Sequence, residues 1–214
     1  GSSLFILFFL LPFIILLLRK FETRFVEKIS SVNLMQNVSN DEKSKSFTRL
    51  EVLKDFRFYL MAPGLMAPGL IVTALFFHHL NIADSKNWSY LWITGNYFIY
   101  SFSISFIAII VGTLIDKFSA KVLVIFSLVP LIFSMLFLSF SFNPYIVFPY
   151  MFFLGASSGF TYTSHPAIIA EMYGPKYLGS IKSLLSVLTV FGSAIGPIIL
   201  GALLDLNFSI EVIL

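Results

Sequence analysis

Residues 90–142 read YLWITGNYFIYSFSISFIAIIVGTLIDKFSAKVLVIFSLVPLIFSMLFLSFSF. The stretch holds two apolar segments, 90–115 and 122–142, on either side of one short charged turn. A helix needs about 20 mostly apolar residues to cross a bilayer, and apolar runs of that length are hard to bury in a soluble core. The stretch therefore predicts a transmembrane helical hairpin.

Four further apolar segments repeat this pattern along the chain. They lie at residues 4–18, 58–80, 145–170 and 183–204. The chain is 57% hydrophobic and 12% charged, whereas a soluble domain is usually about 45–50% apolar and about 25% charged. The predicted fold class is all-α, a polytopic transmembrane bundle of about six helices.

Positive charge falls almost entirely on one side of this predicted bundle. If all six segments cross the membrane, Lys86 is the only one of the 14 Lys and Arg residues on the far side. Lys and Arg in short loops stay on the cytoplasmic face. The chain is therefore predicted to be a multi-pass protein of the plasma membrane, with residues 19–57 in the cytoplasm.

Three parts are expected along the chain. Residues 1–18 form a transmembrane helix truncated at its outer end, because its apolar run is short for a span. Residues 19–57 form a cytoplasmic linker, of which 30–46 are polar and suited to a flexible connection. Residues 58–214 form a second transmembrane bundle.

Two local helix signals occur within the linker. Phe21, Phe25 and Ile29 recur at helical spacing, which indicates either an amphipathic helix on the membrane surface or a continuation of the first span. Thr48 and Glu51 have the spacing of a capping box, which predicts that a helix begins there.

Several classes of function are excluded by what the sequence lacks. The chain has no Cys, which excludes thiolate metal sites and a thiol nucleophile. No basic stripe alternates with exposed aromatics, so no nucleic-acid partner is expected. His78 and His79 are expected at the outer interface and His165 near the inner end, which leaves no cluster for a metal. Neither enzymatic activity nor a metal or other cofactor is predicted.

Polar residues form one-sided stripes on three of the predicted helices. Spacings of three, four and seven place each set on one helical face. The sets are Asn96, Tyr100 and Ser103; Ser157, Thr161, Ser164 and His165; and Ser186, Thr189 and Ser193. Such stripes indicate either hydrogen bonds between helices, the usual role of a single Ser, Thr or His, or a watery path. Three together favour a shared cavity, and the predicted substrate-cavity residues are Asn96, Tyr100, Ser103, Thr161, His165, Ser186 and Thr189.

Proline and glycine residues punctuate the same helices. The direct repeat MAPGLMAPGL at 61–70 contains Pro63 and Pro68, and each Pro removes a backbone donor and should kink or break the helix. The repeat therefore either lines a cavity or forms a static kink. Gly155 and Gly159, at a spacing of four, predict that two helices approach closely.

The charged turn at 112–121, GTLIDKFSAK, resembles a signature of the major facilitator superfamily. Gly112, Asp116, Lys117 and Lys121 match that signature, while Ser119 stands where the family has a second Gly. A carboxylate near the membrane needs a cation or a helix N-terminus. The turn is predicted to act as a conformational switch, and the hypothesis for Asp116 is a salt link to the neighbouring half of the protein.

This resemblance implies a transporter of twelve helices in two halves, working by alternating access. The linker and the turn then identify the six spans as helices six to eleven. An N-terminal half and a last helix would lie outside this sequence. Residues 192–201, with the run GSAIGP, are similar to a Gly-Pro packing motif of the same family.

Residues 73–78, TALFFH, and 170–179, AEMYGPKYLG, are similar to the branch containing oxalate:formate antiporters and monocarboxylate carriers. The resemblance implies secondary active transport of a small organic acid, with a coupled proton or counter-substrate. Carriers of that branch that handle dicarboxylates have basic residues within helices eight and eleven. This chain has none between Tyr90 and Ile115, and on the eleventh helix it has only Lys182, at the inner edge. A dianion such as oxalate is therefore not expected unless the other half supplies the charge. The alternatives are a non-transporting assembly subunit and, less favoured, a membrane-embedded enzyme.

Overall fold

The computed structural model describes residues 46–140, 142–206, 208 and 210–213. The predicted span at 4–18, the candidate amphipathic helix around Phe25 and most of the linker lie outside the described residues. Ser46 onwards belongs to one compact unit. Every secondary-structure element in the described residues is helical, so the all-α prediction is confirmed.

Ten α-helices and one short 3-10 helix, Pro144–Ile146, are present in the described residues. In chain order the α-helices are α1 Arg49–Lys54, α2 Phe56–Phe77, α3 His79–Ser85, α4 Tyr90–Gly95, α5 Tyr97–Lys117, α6 Ala120–Phe126, α7 Leu128–Phe140, α8 Val147–Tyr173, α9 Leu178–Asp205 and α10 Ile210–Ile213. We call the end of the bundle with α3 and Pro144–Ile146 the outer end. The end with the 112–121 turn is the inner end.

Four segments of the described chain are long and apolar enough to cross a membrane. They are Phe56–Phe77, Tyr90–Lys117, Ala120–Phe140 and Leu178–Asp205, which correspond to four of the predicted spans. The fifth predicted span, α8, has 27 residues but is too polar to be among them. Most of its polar side chains are buried against the other helices, so they need not face lipid.

Helix α8 lies at the centre, packed most extensively against α5 and α7, while α2 and α9 form a second close pair beside it. Glycines allow the close contact of α8 with α5 and that of α9 with α2. A Cβ on Gly155 would collide with the carbonyl oxygen of Tyr100, and one on Gly159 would lie 2.7 Å from the carbonyl oxygen of Ile104. On α9, a Cβ on Gly196 would meet the carbonyl of Leu70. The close approach predicted from the glycine spacing is confirmed.

The proline repeat does not break its helix. Helix α2 runs without interruption from Phe56 to Phe77 through Pro63 and Pro68, so of the two predicted outcomes the break does not occur, and the kink stays a prediction. Each Pro removes one backbone hydrogen bond, but the turns on either side keep theirs and α9 packs along the same helix. The interruption comes later, at His78, with φ −105° and ψ 17°.

The end of the predicted linker is part of the bundle. The Thr48 backbone N–H donates to Glu51 Oε2 at 2.7 Å, so the predicted helix start is confirmed. Val52 of α1 is fully buried. The Phe47 N–H donates to the carbonyl of Tyr173 at 2.9 Å, which ties this segment to the inner end of α8.

Candidate functional site

A cavity of about 400 Å³ opens between α2, α8 and α9. Its size is within the range of small-molecule sites, about 300–1,000 Å³. It is lined by Leu65, Pro68, Gly69, Val72, Thr73, Ser158, Thr161, Tyr162, His165, Pro166, Lys182, Leu185, Ser186 and Thr189.

Helix α2 provides the apolar wall of the cavity. Pro68 and Gly69, from the second copy of the repeat, lie in this wall. Pro63, from the first copy, is exposed and faces away. Pro68 and Gly69 of the second copy therefore line the cavity, which is one of the two roles predicted for the repeat.

Helix α8 provides the polar wall, and two of its side chains there have no hydrogen-bond partner. Thr161 Oγ1 and His165 Nε2 have no hydrogen-bond partner in the described residues. Both residues are buried, each only 8% exposed. Buried polar atoms are paired in nearly all cases, and an unpaired one is costly. Both atoms belong to residues that line the cavity, so this wall contains two unused hydrogen-bonding groups.

The hydroxyl of Thr161 differs from its neighbours on the same helix. Thr163 Oγ1 donates to the carbonyl of Gly159 at 3.0 Å, and Ser164 Oγ donates to the carbonyl of Phe160 at 2.6 Å. A Thr or Ser inside a helix commonly bonds to its own backbone in this way. Thr161 does not, so its buried hydroxyl has no hydrogen-bond partner among the described residues.

Helix α9 contributes a charge and two hydroxyls. Ser186 Oγ donates to the carbonyl of Lys182 at 3.1 Å, and Thr189 Oγ1 donates to the carbonyls of Leu185 and Ser186. These hydroxyls can therefore offer a solute mainly their acceptor lone pairs. Lys182 is the only lining residue in the described chain with a full charge. The described lining residues thus carry one formal positive charge, which favours an anion.

The predicted stripe of Asn96, Tyr100 and Ser103 does not line the cavity. Asn96 Nδ2 donates to the carbonyl of Trp92 at 2.6 Å, and Ser103 Oγ donates to the carbonyl of Phe152 at 2.6 Å. The Tyr100 hydroxyl lies 3.0 Å from Ser158 Oγ. Of this stripe, Tyr100 alone bonds to a lining residue. Asn96 and Ser103 bond instead to backbone carbonyls of the neighbouring helices α4 and α8.

Thr161, His165, Ser186 and Thr189 are the predicted cavity residues that the structure brings together. Sequence reasoning missed Ser158 and Tyr162, and it placed Lys182 at the edge. Lys182 lies one helical turn before Ser186 on the same helical face. This spacing could have identified it as a lining residue. Lys182 is exposed and lines the cavity with part of its side chain.

The predicted switch residues are exposed or half-buried at the inner end. Asp116 and Lys117 are exposed and Lys121 is half-buried. A Cβ on Gly112 would meet nothing within 4 Å. Asp116 has no cation or helix N-terminus as partner within the part of the chain that the structure describes.

Glu171, at the C-terminal end of α8, holds the turn instead. Its Oε2 accepts from the Ser119 hydroxyl at 2.7 Å, and its Oε1 accepts from the Ala120 backbone N–H at 2.6 Å. The carboxylate thus satisfies an N–H at the start of α6, where negative charge is favoured. In the sequence, Glu171 stands out only as part of the run at 170–179.

We expect loss of the Glu171 carboxylate to loosen the inner turn. In Glu171→Ala, amide hydrogen exchange at residues 118–122 should accelerate about tenfold, since two charge-assisted hydrogen bonds are lost from an exposed site. Hydrogen-exchange mass spectrometry measures this rate. Asp116→Asn, a change at an exposed neighbour, should leave it unchanged, and equal protection in Glu171→Ala and wild type would contradict the assignment.

The two histidines at the outer end are held differently. His78 Nε2 lies 3.1 Å from the carbonyl oxygen of Pro197 and donates to it. His79, predicted at the outer interface, is 1% exposed because its ring fits between Tyr97 and Tyr150. No group of three or more His, Asp or Glu side chains that could hold a metal ion occurs among the described residues.

Comparison with known proteins identifies one family. Residues 64–214 match the sequence profile of the Major Facilitator Superfamily. The match includes the cavity, the 112–121 turn and more than half of the chain. No curated protein and no solved structure matches the chain.

Proposed function

The chain belongs to the major facilitator superfamily, and from this we propose that it is a secondary active transporter of a small organic acid. Members of this family are typically membrane transporters rather than enzymes, and the four apolar helices are those of an integral membrane protein. The observation that carries the substrate class is the cavity, which has one cation and no carboxylate among its described lining residues.

The cavity has the groups that a monocarboxylate needs. The ammonium of Lys182 supplies a positive charge for the carboxylate, and Thr161 supplies a hydroxyl with no competing backbone bond. The apolar wall formed by Leu65, Pro68 and Val72 suits a short hydrocarbon portion. One positive charge balances one negative charge, so we propose a monoanion. This agrees with the resemblance to monocarboxylate carriers.

We propose that transport occurs by alternating access. In this family, carriers place their substrate between two halves that rock about a central site. Helices α2 and α9 are in close contact at Gly196, so we expect the two helices to move as one unit. Residues preceding α1 would belong to the linker and to the other half, and exposed Asp116 would then be available for a salt link with that half.

We propose that the inner end faces the cytoplasm. In the described residues, Lys86 is the basic residue at the outer end, whereas seven lie at the inner end: Arg49, Lys54, Arg57, Lys117, Lys121, Lys176 and Lys182. This distribution is the one found on cytoplasmic faces of plasma-membrane proteins. The linker would be cytoplasmic for the same reason.

The function is tested by uptake of labelled short monocarboxylates, and of their neutral amides, into proteoliposomes that contain the full-length protein. The acids should be taken up and the amides should not. In Thr161→Val the KM for a transported acid should rise about tenfold, because one hydrogen bond to the solute is lost, and stability should not fall, because the hydroxyl has no protein partner.

Thr163→Val is the matched control on the same helix, since the Thr163 hydroxyl bonds to Gly159. It should leave the KM unchanged. Uptake of amides and acids alike, or of neither, would contradict the proposed substrate class. A Thr161→Val protein with an unchanged KM would remove Thr161 from the binding site.

A further inference from the structure

A buried histidine at the outer end is clasped by two tyrosines from two different helices. His79 Nδ1 lies 2.9 Å from the Tyr97 hydroxyl on α5, and His79 Nε2 lies 2.5 Å from the Tyr150 hydroxyl on α8. The candidate span of α2 ends at Phe77, so His79 lies just beyond it. The clasp therefore ties the short helix α3 to the centre of the bundle.

The hydrogen atoms in this clasp can be assigned from what each group is able to donate. Tyr150 is fully buried, and His79 Nε2 is the partner of its hydroxyl in the described chain. The Tyr150 O–H must therefore donate to Nε2, which accepts as the unprotonated ring nitrogen. Nδ1 then carries the proton and donates to Tyr97, which is half-buried and can direct its own hydrogen to water.

A proton and the Tyr150 hydroxyl compete for the same lone pair. An imidazolium donates from both nitrogens, so protonation at Nε2 would force the Tyr150 O–H to turn away. That hydroxyl is buried, and a buried donor without an acceptor is costly. The clasp in its present form is compatible only with a neutral imidazole.

The groups around His79 do not offset this cost. Tyr97 and Tyr150 are its titratable neighbours from α5 and α8, and α2 contributes the ring of Phe76, its centroid 4.7 Å away. Phe76 also contacts Tyr100, a further phenol of α5. No carboxylate bonds to the His79 ring in the described part of the chain.

The charged groups near α3 are engaged elsewhere. The Asp84 carboxylate accepts from the Tyr90 hydroxyl. The ammonium of Lys86 lies 4.5 Å from the centroid of the Phe142 ring. His78, the adjacent imidazole, bonds to Pro197 on α9. No bond from Asp84 to the His79 ring occurs in the described residues, and the ammonium of Lys86 has the wrong sign to stabilise an imidazolium.

We propose that Nε2 of His79 is a proton-binding site whose occupation releases α3 from α8, so that proton uptake and loosening of the outer end are one coupled step. One N–H bond forms at Nε2 with a proton from solvent, and the O–H···N bond from Tyr150 is lost. The site does not line the cavity, so the proposal holds whatever solute the protein carries.

The direction of the pH effect follows from burial. Burial lowers the pKa of His79 to about 4, whereas an imidazole in an open, hydrated outer end would titrate near about 6.5. Between these values the open form binds more protons than the clasped form. The clasp is therefore fully stable above about pH 6.5 and weakens as the pH falls toward about 4.

The proposal is tested by nitrogen-15 NMR of labelled histidine in the full-length protein in nanodiscs. At pH 7 the His79 signal, identified by its loss in His79→Gln, should show the proton on Nδ1. In Tyr150→Phe the competing donor is gone, and the titration midpoint should rise by about one pH unit, the worth of one hydrogen bond. His78→Gln, the adjacent control, should leave the midpoint of His79 unchanged.

A second measurement follows the opening itself. Amide exchange at residues 79–88, corrected for intrinsic rates, should be faster at pH 5 than at pH 7 in wild type and equal at both pH values in His79→Gln. A proton on Nε2 at pH 7, or an unchanged midpoint in Tyr150→Phe, would overturn the proposal. So would pH-dependent exchange that persists in His79→Gln. If His79→Gln does not fold, the titration midpoint of His79 in Tyr150→Phe decides the question alone.

Discussion

Lys182→Gln should raise the KM for a transported organic acid by about 10–100-fold, the range expected when a hydrogen bond to a charged group is lost. Lys182 is the only lining residue with a full charge in the described chain. Its ammonium is therefore the main group there that distinguishes an anion from a neutral solute. The KM is measured by uptake into proteoliposomes at fixed ionic strength.

Lys176→Gln is the control for loss of positive charge at the inner end. Lys176 is exposed, and its ammonium lies 5.3 Å from the centroid of the Tyr177 ring, outside the cavity. This variant should transport with a near-normal KM, and Lys182→Arg should retain part of the affinity because it retains the charge. If Lys182→Gln and Lys176→Gln behaved alike, Lys182 would not be the anion-binding group.

A large effect on stability is expected from Gly155→Ala. The new Cβ would collide with the carbonyl oxygen of Tyr100 and approach Ser103 Cβ at 2.9 Å. Backbone atoms cannot turn aside as the end of a long side chain can, so α5 and α8 must separate. Overpacking of this kind costs about 1–3 kcal/mol, which corresponds to a fall in Tm of about 2–12 °C for a chain of this size.

Gly112→Ala is the matched control, because Gly112 is also inside a helix and a Cβ there meets nothing within 4 Å. Its Tm should be unchanged or slightly higher, since Ala favours helix over Gly. Thermal unfolding of both variants in detergent measures the difference. Equal Tm values for Gly155→Ala and wild type would mean that α5 and α8 are not in close contact.

The membrane bundle could be predicted because its causes are local in sequence. Apolar length and the position of Lys and Arg identify helices that cross a membrane, and four of the predicted spans appear in the described residues. The glycine spacing on α8 also identified a close helix contact correctly. These features depend on one helix at a time, so no knowledge of neighbours was needed.

The partners of polar side chains could not be predicted, because they come from distant parts of the chain. Ser103 resembles Ser186 in sequence, yet one bonds to the carbonyl of Phe152 on another helix and the other to its own. Glu171 meets Ser119 across 52 positions. A hydroxyl or carboxylate has several possible partners, and tertiary packing decides which one it meets.

The same reasoning accounts for the place where the second span is interrupted. Pro63 and Pro68 are strong local signals for interruption, but packing against α9 keeps α2 continuous. The break occurs at His78, where no residue of a type that usually breaks a helix is present. His79 then turns inward because Tyr97 and Tyr150 offer its ring two hydrogen bonds.

Substrate protection of a single cysteine in the cavity tests the central claim most directly. The chain contains no Cys, so Thr189→Cys places one thiol in the α9 wall, and Ser193→Cys places another one turn beyond the lining residues. A transported monocarboxylate is predicted to slow maleimide labelling at position 189 in a dose-dependent way and to leave labelling at position 193 unchanged. Labelling at position 189 that is unaffected by a saturating concentration of the transported acid would contradict the claim that this cavity binds it.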